Sequence, residues 1–95
     1  ELIQVILSST SLPTLKHYAE QFKVFLSQQF SGLTQIHYYG PCPAPIEQIR
    51  LHKRMHVVLK VPHQDLEEVK NLLFMFPPPP SSVRVIVDID AQTLL

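Results

Sequence analysis

The chain has 95 residues, 45% of them hydrophobic, with eight Lys and Arg against eight Asp and Glu. That length makes one domain with one modest core, burying roughly 60–65% of the unfolded surface. Zero net charge excludes an overall field that steers polyanions, so contact with nucleic acid or an anionic membrane has to come from a local patch.

Taken in chain order, "LIQVILSS" (2–9) is short, β-branched and nearly all apolar, which reads as a buried central strand. A helix follows, with Ser11 as N-cap and Pro13 early, where a missing N–H costs nothing. Leu12, Leu15, Ala19, Phe22, Leu26 and Phe30 recur at three- and four-residue spacing and form its apolar stripe. Gly32 is the expected C-terminal cap. "LTQIHYY" (33–39) reads as a second strand. In "GPCPAP", Gly40 precedes prolines at 41, 43 and 45, which predicts a stiff extended arm that cannot be a central strand. The arm is either a rigid edge connection or a packing arm that docks outside the domain.

"RLHKRMHVVLKV" (50–61) reads as the third strand. Met55, Val57, Leu59 and Val61 alternate onto one face; Arg50, His52, Arg54, His56 and Lys60 fall on the other, and Lys53 projects away from them or lies in a turn. Pro62 ends the strand. "HQDLEEVKNLLFMF" reads as a second helix with Leu66, Val69, Leu72, Leu73 and Phe76 inward, stopped by Pro77–Pro80. "SVRVIVDID" (82–90) closes the chain as a fourth strand with Val83, Val85, Val87 and Ile89 inward. The order β-α-β-β-α-β predicts an α+β fold: a ferredoxin-like sandwich of a four-stranded antiparallel sheet with two helices on one face. The other face is then free, and it carries the cations of the third strand.

Two stretches carry a resemblance. "GPCPAPIEQIRLHKRMHVVLK" (40–60) and "VRVIVDIDAQTLL" (83–95) together resemble the C-terminal domain of PriA-type bacterial replication-restart helicases, also called primosomal protein N′. The family pattern is G-P-x-P-A-P, a basic strand, a helix, then V-R-x-x-[IV]-D-[VI]-D-P-x-x-L. Ala91 stands where that pattern has proline, the basic strand lacks the family's glycine and aromatic residues, and the four-proline run is a departure.

The resemblance implies that residues 1–95 are a single-domain fragment of a larger ATP-driven DNA helicase; a start at Glu1 directly before a strand agrees with a fragment. It implies single-stranded or forked DNA and the parent's own helicase core as partners. It also implies contact with single-stranded DNA-binding protein and other primosome proteins. The second helix, where the family forms part of a pocket for an acidic tail, offers only His63 and Lys70 as cations. ATP, magnesium and zinc are implied for the parent, and a cytoplasmic, nucleoid location for the whole.

Within the chain itself no nucleotide loop exists, because Gly32 and Gly40 are its only glycines. One cysteine, Cys42, cannot build a zinc thiolate site or an internal disulfide, and it fits a reducing compartment. The longest apolar run is far below the roughly 20 residues that span a bilayer. His52 and His56 are about 13 Å apart on a strand, too far to share an ion, and read as solvated or DNA-facing. Asp88 and Asp90 share a face with Arg84 and read as structural.

Alternating cations on an exposed strand can track phosphates. Arg50, His52, Arg54, His56 and Lys60 are therefore the expected DNA-binding residues, with Tyr38 and Tyr39 as stacking aromatics. Gly40, Pro41, Pro43 and Pro45 are the expected docking arm. The expectation is a non-catalytic module that binds DNA and docks on the helicase core. A protein-interaction module that docks on the helicase lobes or on the acidic tail of single-stranded DNA-binding protein, without DNA contact, is the alternative. A small-ligand regulatory domain is a third and needs a glycine-rich loop the chain lacks.

Overall fold

The computed structural model describes residues 2–32 and 35–89, and residues 45–47 only by their place in a strand. Strand β1 (Leu2–Ser9) leads into helix α1 (Leu12–Phe30), followed by β2 (His37–Ile49), β3 (His52–Lys60), a 3-10 turn (His63–Asp65), helix α2 (Leu66–Leu73) and β4 (Val83–Ile89). The sheet has four strands in the order β2-β3-β1-β4, and every pairing is antiparallel. This is the ferredoxin-like α+β arrangement, with β3 and β1 central and β2 and β4 at the edges.

The core lies between the sheet and the helices. Ile3, Val5, Leu7, Val57 and Leu59 reach it from the central strands, and Leu15, Tyr18, Ala19, Phe22, Leu26 and Phe30 from α1. Phe22 sits at its middle, with the rings of Tyr18, Phe25 and Phe76 at 6.1, 5.6 and 6.0 Å. Tyr18 and Phe25 widen the expected stripe of α1, whereas Leu12 at its first turn is exposed. The Tyr18 hydroxyl donates to the Pro77 carbonyl at 2.6 Å and ties the proline run to α1. Burial pushes its pKa up to about 12. The N-cap is as expected, with Ser11 Oγ accepting from the Thr14 N–H at 3.4 Å and Pro13 in the first turn.

Several expectations are corrected. Gly32 does not have the positive φ of a left-handed cap; the last helical turn runs on through Ser31 in right-handed geometry. Helix α2 ends at Leu73, so Phe74 and Met75 lie beyond it and are exposed. The largest difference is β2: the arm after Gly40 is itself strand, paired with β3 through Cys42↔His56 and Pro43↔Met55, and interrupted by register shifts on either side. Proline is tolerated there because β2 is an edge strand. In a regular strand the N–H groups of alternate residues point to the same side, so prolines at 41, 43 and 45 can leave their missing donors on the solvent side.

Gly40 makes the first shift possible. Its φ of +106° is closed to side chains, and a Cβ there would lie 2.4 Å from the His56 carbonyl oxygen. Strand β3 is shorter than expected, because Arg50 and Leu51 form the two-residue turn that joins Ile49 to His52. Strand β4 alternates as expected, with Val83, Val85, Val87 and Ile89 toward the helices. The expected Asp88–Asp90 pair and the end of the fourth strand run into residue 90, outside the described residues, as do Leu33 and Thr34 of the expected second strand; Gln35 and Ile36 are not strand, and β2 starts later than expected, at His37.

Candidate nucleic-acid interface

The helices cover one sheet face, and no described helix lies on the other, here called the open face. Strand alternation and the observed registers place His52, Arg54, His56, Val58 and Lys60 of β3 on that open face, beside Gln4, Ile6 and Ser8 of β1 and Arg84, Ile86 and Asp88 of β4. Arg54 and Arg84 flank Ser8 in one cross-sheet row, about 10 Å apart by the usual strand spacing. Arg50 projects from the hairpin turn at the same end. Together Arg50, His52, Arg54 and Arg84 line a hollow of about 520 Å³ floored by Ile6 and Ser8 and rimmed by Ser81 and Ser82.

Arg50 holds a positive φ of 56°. The first central position of a tight hairpin favours glycine for that geometry, so an arginine there is held under strain. Arg50 and His52 are exposed, and Arg54 is partly covered. Lys60 is exposed too, but stands eight residues up the strand from His52, roughly 26 Å away. Lys53 points to the opposite side, as expected, and donates to Gln48 at 2.6 Å.

His56 departs from the expected solvated histidine. It is 6% exposed, and its Nδ1 accepts from Gln4 Nε2 at 3.2 Å. Burial, reinforced by the nearby Arg54 guanidinium, lowers its pKa below the ordinary 6.5. It is a neutral, hydrogen-bonded group at pH 7 rather than a surface cation. Tyr39 stands edge-on to it, ring centroids 6.5 Å apart, and is 65% exposed on the open face. Tyr38 pairs with Leu59 and points the other way, so one of the two expected aromatics joins the cations.

Gly40, Pro41 and Pro43 do not join this face: they line hollows on the helix side of β2, against Lys16, Ala19 and Lys23 of α1 and against Met55, and Pro45 lies in the same strand. Arg84 is the residue that strand-by-strand reading misses, because only the sheet order brings β4 alongside β1 and β3. Among the described residues no three His, Cys, Asp or Glu side chains gather as a metal site. With one cysteine and two glycines in the chain, its residues do not fit the zinc or nucleotide implied for a parent helicase. No described helix is long and apolar enough to cross a membrane.

No curated protein sequence matches the chain. The family model for the primosomal protein N C-terminal domain matches residues 1–92, nearly the whole length, and the chain belongs to that family.

Proposed function

We propose that this domain grips the sugar–phosphate backbone of single-stranded or forked DNA on its open sheet face, as the non-catalytic C-terminal part of a PriA-like helicase. Family membership implies a part in primosomal replication restart. The observation that carries the reading is a local cluster of cations. In a chain with no net charge, Arg50, Arg54, Arg84 and Lys60 share one end or face of the sheet with His52 beside them, and Asp88 is the one described acid among them. Exposed cations spaced along a strand contact phosphates without reading bases, and Tyr39 adds a stacking plane for one base.

The prolines of β2 deny strand addition along that edge. Docking on a helicase core there goes through the side chains of Pro41 and Pro43 rather than through backbone pairing. ATP, magnesium and zinc belong, on this reading, to the rest of the parent, which works in the bacterial nucleoid.

Fluorescence anisotropy with labelled single-stranded and forked DNA tests the reading. Arg50→Glu and Lys60→Glu should each weaken binding to every sequence alike, and Tyr39→Ala should cost about tenfold on single strands, within the 1–3 kcal/mol of one stacked base. Unchanged affinity at low salt in the two charge reversals rejects it.

A second reading, protein docking without DNA contact, draws on apolar residues: Ile49 and Ile86 of the hollow and Leu51 of the adjoining turn are 47%, 44% and 74% exposed. It expects no DNA binding at any salt concentration.

A further inference from the structure

The two edges of the sheet differ. Edge β2 is interrupted by register shifts and carries prolines without N–H donors. Edge β4 is an unbroken seven-residue strand, "VRVIVDI", paired on one side with β1 and, among the described residues, with no strand on the other. Strand edges that stay single usually carry prolines, bulges or charged side chains. Strand β4 has no proline or register shift among its described residues, and its two charges are of opposite sign.

Its charges have a different logic. Arg84 and Asp88 lie symmetrically about Ile86, and all three are exposed on the open face. Within the chain Arg84 sits opposite Ser8, and Asp88 opposite Gln4. Neither has an ion-pair partner among the described residues.

We infer that β4 is a self-pairing edge: two copies of the chain join β4 to β4 in antiparallel register about a two-fold axis through Ile86. An antiparallel pair has a local two-fold axis at each directly opposed residue pair, so this centre is allowed. In this register Arg84 of each copy opposes Asp88 of the other, and the two Ile86 side chains meet between the ion pairs. On the helix side Val85 opposes Val87 of the second copy, covering side chains that each chain leaves half-buried. Moving the centre to Val85 sets Arg84 against Ile86, and moving it to Val87 sets Ile86 against Asp88. Only the Ile86 centre satisfies both charges. The product is one eight-stranded sheet with both open faces on the same side. One strand per copy is a small interface, below about 1,200 Å² in total, so association depends on concentration.

Sedimentation equilibrium on the 95-residue chain tests this. The expected result is a monomer–dimer equilibrium. Arg84→Asp and Asp88→Arg each turn both ion pairs into like-charge pairs and should raise the dissociation constant about tenfold or more, whereas the double exchange R84D/D88R restores it. These exposed positions leave the core untouched. As a second readout, Ile86→Cys in a Cys42→Ser background should form a covalent dimer on mild oxidation, because opposed Cα atoms about 4.5–5.5 Å apart suit a disulfide. A wild-type chain that stays monomeric, dimers indifferent to either charge reversal, a double exchange that fails to restore association, open-ended aggregates, or an Ile86→Cys chain that does not cross-link overturns the inference.

Discussion

His56 shows how one residue on an alternating strand can look like a surface cation and be something else. Alternation reports which side of the sheet a residue faces, but not how deeply the neighbours cover it. Strand β3 lies between β2 and β1, so Tyr39 and Gln4 close over His56 from both sides. Its lowered pKa fixes the sign of a pH effect. The folded chain resists protonating a ring that the unfolded chain protonates near 6.5, so its contribution to stability is present above 6.5 and is lost as pH falls below it. The wild type should therefore lose more thermal stability than His56→Gln between about pH 7.5 and 5, followed by circular dichroism. Equal losses would mean that the ring takes up its proton in place. Gly40 belongs to the same scale. Gly40→Ala meets a forbidden φ and the His56 carbonyl together, and should cost on the order of 1–3 kcal/mol or more in a urea titration. Arg50→Gly should do the opposite for the fold while weakening DNA binding. It relieves a positive φ worth about 1 kcal/mol and removes one cation.

Elements with an undisturbed period are legible in the sequence. The three- and four-residue spacing of α1 and the strict alternation of β4 mark their inward faces almost residue for residue, and Ser11 and Pro13 mark a start that the structure keeps. What stays hidden depends on distant partners. Tyr18 reads as a polar interruption of the α1 stripe until the Pro77 carbonyl, 59 positions away in sequence, takes its hydroxyl. Tyr18→Phe should accordingly cost about 1 kcal/mol in denaturant unfolding while leaving the helix intact. The proline segment misleads for a related reason. Whether proline can sit in a strand depends on which side of that strand is unpaired, and local sequence does not record that β2 ends the sheet. The basic strand is legible as a face. The hollow is not, because Arg84 reaches it only through the order β2-β3-β1-β4.

At the scale of the whole molecule, a sandwich with both helices on one side has one sheet face left for function, and the sequence distributes its charge accordingly. The helices balance Lys16, Lys23 and Lys70 against Glu20, Glu67 and Glu68, while most of the described open-face charge is cationic. The domain thus offers a polyanion a local field that its zero net charge conceals. Such binding is electrostatic and sequence-independent, which suits a module that holds DNA while another part of its parent acts on it. The salt dependence of single-stranded DNA binding by the 95-residue chain tests this most directly, measured by anisotropy on the wild type and on a variant with Arg50 and Lys60 both changed to Gln. The wild type should show log affinity falling linearly with log salt. The slope should flatten by about 1.4 in the double variant, roughly 0.7 for each phosphate that the variant no longer neutralises. Binding with the same slope in both proteins, or no binding at low salt, would contradict the account and assign the open face to a protein partner.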